Sequence, residues 1–257
     1  MIRNRRVLLL GIALQAFTMQ IVHSEETLSQ FSTIDALMQG IYDGPATFAR
    51  VRQYGDFGLG TVNHLDGEML ALDGVFYQIT SDGRVHVIPD SMKTSFATVS
   101  FFKGKHHARV PRLSSLAALQ RWLTGHLGSG NFFWSIRIHG TFPIMKVRSI
   151  SRQHPPYRPL LEVAKSEQIF EYRNVTGTLL GFRCPPYMKG INVPGYHFHF
   201  LSDDKTMGGH VMGLSIKEGE ARWDSHTTFQ MCLPDDPQFR RADLSVHDAE
   251  ALRKVEQ

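Results

Sequence analysis

The sequence predicts an α+β fold: a strand-rich chain of two lobes built on mixed or antiparallel sheets, with few helices and a His-x-His hairpin in the C-terminal lobe. Three observations carry this expectation. Short β-favouring runs recur between Asp-Gly turns, as in a meander. Apolar residues at helical spacing are confined to a few segments. The run Gly195-Tyr196-His197-Phe198-His199-Phe200 is separated from His210 by the polar, glycine-containing stretch 202–209.

The first two dozen residues differ from the rest. Arg3, Arg5 and Arg6 precede a mostly apolar run from Val7 to Phe17, and small residues near Ser24 resemble a cleavage site. Residues 1–24 therefore read as a secretory signal peptide, which implies export to the periplasm or the cell exterior. The formal net charge of +4 includes those three arginines, and no acid precedes Glu25, so the processed chain is near +1. Such a balance gives no reason to expect a nucleic-acid partner, or stable membrane association after processing. The local basic cluster Lys103 to Arg109 reads as a solvated loop.

Residues 25–153 form an expected N-terminal sheet domain and residues 154–257 a C-terminal domain, divided near Pro155-Pro156. Ser24 to Gly40 reads as helical, with Gly40 as its stop. Strands are expected at Phe57–Val62, Leu65–Leu72, Val75–Ile79, Val85–Ile88 and Phe96–Phe102. Leu113 to Leu127 has helical spacing at Leu116, Leu119, Trp122 and Leu123. Phe132–His139 and Thr141–Ile150 read as partner strands, Leu160–Gln168 as helical, and Ile169–Phe182 as two strands turning near Thr176-Gly177. Asp224–Cys232 adds a strand and Asp243–Val255 an amphipathic helix. Cys184 and Cys232 belong to no Cys-x-x-Cys motif, so a bridge and two free thiols are both open.

The histidine hairpin carries the strongest chemical signal. Residues two apart on a strand share a face, so His197 and His199 point the same way. A turn through 202–209 lays His210 beside them. A lone strand histidine is ordinarily a packing residue. Three converging imidazoles instead form a metal site with a fourth position open, the pattern of catalytic rather than structural zinc. Glu68 follows the turn Asp66-Gly67, and Arg148 closes the run Ile144 to Arg148. By composition alone these are a strand-edge acid and a surface cation, and Glu256 is a frayed tail.

Taken together, these residues resemble the alpha-acetolactate decarboxylase family. The matching landmarks are Gly58 to Thr61, Leu65 to Met69, Phe142 to Arg148, Pro194 to Phe200, Gly208 to Val211 and Lys254 to Glu256, in family order along the chain. The resemblance implies a zinc ion on His197, His199 and His210, with Glu68, Arg148 and Glu256 completing the site. It therefore implies that the tail of the C-terminal domain returns to the metal. It also implies decarboxylation of 2-acetolactate to (R)-acetoin and CO2, through an enediolate that the metal stabilises and a glutamate protonates, in a homodimer. Two other readings compete. Gly followed by His-x-His is similar to a cupin motif, but that motif carries a glutamate where Asp203 and Asp204 stand. An exported zinc-binding or carbohydrate-binding module without catalysis would need neither Glu68 nor Arg148.

Overall fold

The structure, a computed structural model, describes residues 26–256. The expected signal peptide at residues 1–24 lies outside the described residues. In chain order the strands are β1 Thr27–Phe31, β2 Ala46–Thr47, β3 Phe57–Thr61, β4 Glu68–Leu72, β5 Val75–Ile79, β6 Val85–Val87, β7 Lys93–Thr94, β8 Phe96–Ser100, β9 His106–Val110, β10 Phe133–Ser149, β11 Gln168–Cys184, β12 Gly195–Ser202, β13 Gly208–Ser215, β14 Glu218–His226 and β15 Thr228–Cys232. The helices are α1 Ile34–Met38, α2 Phe48–Val51, α3 Leu116–His126, α4 Leu160–Val163, α5 Pro237–Arg241 and α6 Ala249–Glu256.

Seven strands form the first sheet, in the order β15-β1-β8-β3-β4-β5-β6. It is mixed, because β1 pairs parallel with β15 while its other pairings are antiparallel. The β4–β5 turn shows the expected chemistry: Asp73 and Gly74 sit at φ 52° and 78°, the left-handed pair of a tight hairpin.

Six strands form the second sheet, in the order β11-β12-β13-β10-β14-β9, and β10 also pairs with β11. That extra pairing closes β10, β11, β12 and β13 into a ring. One face of these strands packs Ile138, Phe142, Leu179 and Phe200 with Leu119 and Leu123 of α3. The opposite face packs Leu180, Phe182 and Leu201 against Leu59 and Leu70 of the first sheet. Along β12, Phe198 and Phe200 belong to the α3 side, so the period of two turns His197 and His199 toward the first sheet.

Several expectations are corrected. Phe132–His139 and Thr141–Ile150 are one strand, β10, and Ile169–Phe182 is one strand, β11, rather than two hairpins. Gly140 and Gly177, which read as turns, face each other across these strands. A Cβ would stand 2.5 Å from the Glu218 carbonyl oxygen at Gly140 and 2.5 Å from the Leu201 carbonyl oxygen at Gly177. The glycines thus permit close backbone approach, not reversal. Ser24 to Gly40 is not one helix. Thr27–Phe31 is a buried strand between β15 and β8, and only Ile34–Met38 is helical, capped by Thr33. Asp224–Cys232 is split at Thr227, where the chain leaves the second sheet as β14 and enters the first as β15. The C-terminal helix starts at Ala249, where Asp248 accepts from the amides of Glu250 and Ala251.

Sheet membership interleaves the two expected spans. β9 and β10 precede residue 153 but lie in the second sheet, and β15 follows it but lies in the first. Cys184 and Cys232 are both free thiols, and burial pushes the Cys184 thiol up to about 12. Among the described residues, no helix is long and apolar enough to cross a membrane.

Candidate metal centre and active site

The histidines meet because of strand register. His199 pairs directly with His210 across β12 and β13, and His210 pairs with Arg148 across β13 and β10. Gly209, at φ 143°, allows this: a Cβ there would stand 2.6 Å from the Arg148 carbonyl oxygen. His197, His199 and His210 are buried, and one ring nitrogen from each lies within 4.8 Å of the others. His197 Nε2 and His210 Nδ1 are 3.1 Å apart.

The donor set fits a metal ion. His199 Nδ1 lies 2.8 Å from the Met69 carbonyl oxygen, which only accepts, so Nδ1 carries the proton. The lone pair is then on Nε2, which is buried and has no hydrogen-bond partner among the described residues. A backbone carbonyl that fixes a histidine tautomer in this way is the usual support for a metal ligand. All three imidazoles are held neutral. Burial, reinforced by Arg148, takes His197 down to about 3. His199 is held well below its ordinary value by burial, then by His197 and Arg148, against the Met69 hydrogen bond. Burial, then Arg148 and the other two histidines, does the same to His210. Neutral imidazole is the ligating form.

Three carboxylates and one guanidinium surround this group. Glu68, the first residue of β4, brings Oε2 to 3.5 Å from His199 Nε2. Glu256, at the end of α6, places Oε2 3.4 Å from His197 Nε2 and 3.9 Å from His210 Nδ1. Its Oε1 lies 3.5 Å from Arg148 Nη2. Glu167, just before β11, accepts from Arg148 Nη1 at 3.2 Å. Arg148 is 2% exposed. Burial works against its charge, but Glu256, Glu68 and Glu167 outweigh burial and raise it. Burial pushes Glu68 up to about 8, with Arg148 opposing and Glu256 and Glu167 reinforcing. Burial also raises Glu256, against Arg148.

The structure thus brings all six sequence-predicted residues, Glu68, Arg148, His197, His199, His210 and Glu256, into one buried group. It adds Glu167, which sequence reading missed. Two positions before the Ile169 partner of Arg148, at a helix-to-strand junction, an acid gives no signal of its own. Asp203 and Asp204, considered as support for the histidines, are elsewhere. Asp203 pairs with the half-exposed His139, and Asp204 accepts from Ser202 and Thr206 in the turn.

Five of these residues, Glu68, Arg148, His197, His199 and Glu256, line a cavity of about 30 Å³. Ile34, Leu37, Leu65, Phe96, Ile150 and Leu160 supply the apolar wall of its lining. Every one of these lining side chains is buried. The lining combines charged and apolar groups, as a small molecule carrying both oxygens and carbon requires.

Fold and site define a small-molecule enzyme built around a three-histidine centre that can hold a metal ion. Residues 28–246 match the model of the alpha-acetolactate decarboxylase family, and the chain belongs to that family. It is 42% identical over 234 residues to the alpha-acetolactate decarboxylase of Methanosarcina mazei, covering 91% of this chain and 81% of that protein. The Methylococcus capsulatus enzyme is also 42% identical, with 91% and 90% covered. The crystal structure of alpha-acetolactate decarboxylase from Bacillus subtilis superposes with a TM-score of 0.88 at 33% identity, covering 90% of this chain and 99% of that one. The activity is that of a carboxy-lyase acting on acetolactate.

Proposed function

We propose that the chain converts 2-acetolactate to (R)-acetoin and CO2 with a zinc ion held by His197, His199 and His210. The observation that carries this reading is the meeting of three neutral imidazoles, one arginine and acidic side chains in a single buried group. Three nitrogen ligands with an open position are the donor set of catalytic zinc. When bound, zinc supplies Lewis acidity to the hydroxyl and ketone oxygens of the substrate.

The chain's own groups supply the rest. Among the described residues, Arg148 is the only basic side chain lining the cavity apart from the histidines, and it receives the substrate carboxylate. A planar guanidinium, already fixed by Glu167 and Glu256, suits that oxyanion better than a lysine. As the C–C bond to the carboxylate breaks, its electron pair moves into the adjacent ketone. CO2 leaves and an enediolate remains. Arg148 faces that developing charge from a buried position, where a fixed cation acts strongly.

A proton must then reach carbon. Glu68 is the donor in this account. Its oxygen stands beside His199, and burial raises its carboxyl to about 8 in the metal-free chain. Glu256 is paired with Arg148 and serves to hold it. Charge balance favours the same assignment. A divalent ion and Arg148 offset three ionised glutamates, and the substrate's carboxylate adds one negative charge that a protonated glutamate removes. Delivery from one fixed side makes one enantiomer, and the apolar wall of Ile34, Leu37 and Leu160 receives the methyl groups.

The test is purified protein with 2-acetolactate, followed by CO2 release and chiral separation of the acetoin. Stoichiometric CO2 and a single enantiomer, the R form, are expected, and both vanish with a chelator. Racemic acetoin at the spontaneous rate would reject the proposal and favour a non-catalytic binding module.

A further inference from the structure

Glu256 reaches the cavity only because the last helix is held down. α6 buries Leu252 and Val255 in a cluster with Ile34 and Leu37 of α1 and Leu160 of α4. A helix of eight residues has little stability of its own in water, so its position depends on how it is docked. Its start is tied by a polar pair. His247 Nδ1 lies 2.9 Å and 3.1 Å from the two carboxylate oxygens of Asp35 on α1. His247 Nε2 is buried and has no hydrogen-bond partner among the described residues, so Asp35 takes the ring's polar contact.

The fold keeps room for this carboxylate. At Gly190, φ 77°, a Cβ would stand 2.6 Å from Asp35 Oδ2. A second tie joins the same two segments: Gln39 Nε2 donates to the Asp243 carbonyl oxygen at 2.6 Å. Asp35 lies in the same short helix as Ile34 and Leu37, which line the cavity. The pair therefore links the apolar wall to the segment that carries Glu256.

We propose that Asp35 and His247 are positioning residues: they latch the C-terminal helix across the cavity and so set where Glu256 holds Arg148. The catalytic half of this inference rests on the function proposed above; the latching half does not. The experiment uses the full chain with its metal and two variants, His247→Ala and His247→Asn. The asparagine amide places a donor near the position of Nδ1. Hydrogen exchange of the α6 amides and steady-state acetoin kinetics are measured together. In His247→Ala, exchange in α6 rises at least about tenfold, as expected for loss of a hydrogen bond to a charged group. Turnover falls severalfold at unchanged metal content, and KM rises with it, because Arg148 both receives the substrate carboxylate and faces the developing charge. His247→Asn recovers both. Wild-type exchange or wild-type kcat in His247→Ala overturns the proposal, as does an asparagine variant no better than alanine. If the wild-type chain releases no CO2 from 2-acetolactate, the functional reading fails, and the exchange data still decide the latch.

Discussion

His199→Ala is expected to lose bound metal and turnover together. His199 Nε2 is buried, partnerless and oriented by the proton that Nδ1 gives to Met69. Deleting the ring removes one of three ligands from a centre in which no fourth histidine stands ready among the described residues. It also removes the hydrogen bond to the Met69 carbonyl, at a cost of about 1 kcal/mol. A metal that polarises substrate oxygens contributes several kcal/mol to the transition state, so turnover falls on the order of a thousandfold. Metal analysis of the purified variant beside its acetoin rate checks this. A variant that keeps a full complement of metal would show that the ion sits elsewhere.

Glu68→Gln should separate metal from chemistry. The amide keeps the size of the side chain and leaves the three histidines in place, so metal content holds. The transferable proton is gone, and turnover drops by roughly a hundredfold or more. Stability should move the other way in metal-free protein. A carboxylate raised from 4.5 to about 8 in the folded state contributes most below pH 4.5 and loses that contribution as pH rises through 8. Glutamine has no such dependence, so the variant melts no lower than wild type at pH 8. Full activity in Glu68→Gln would instead make Glu256 the donor.

What the sequence revealed divides along physical lines. The hairpin of β12 and β13 was legible because both its signals are local: a period of two and a turn rich in polar residues and glycine. The Asp73-Gly74 turn was legible for the same reason. The 17-residue strands β10 and β11 were not, because a glycine that reverses the chain and a glycine that admits a neighbouring backbone look alike in sequence. β1 escaped because its strand state comes from pairing with β15, some two hundred residues away. In the site, the grouping of the three histidines followed from spacing. Glu68, Arg148 and Glu256 were visible only through family resemblance, since Glu256 lies 108 positions from the arginine it faces. The Met69 carbonyl and Glu167 gave no signal. Any residue offers a carbonyl, and an acid at a strand entry is ordinary.

The most direct test is reconstitution of metal-free protein with measured amounts of zinc, following acetoin formation against ions bound per chain. The account predicts a rate that starts near zero, rises linearly and stops rising at one ion per chain, with no such rise in His199→Ala. A rate independent of bound metal, or a plateau that the His199→Ala protein reaches as well, would contradict it.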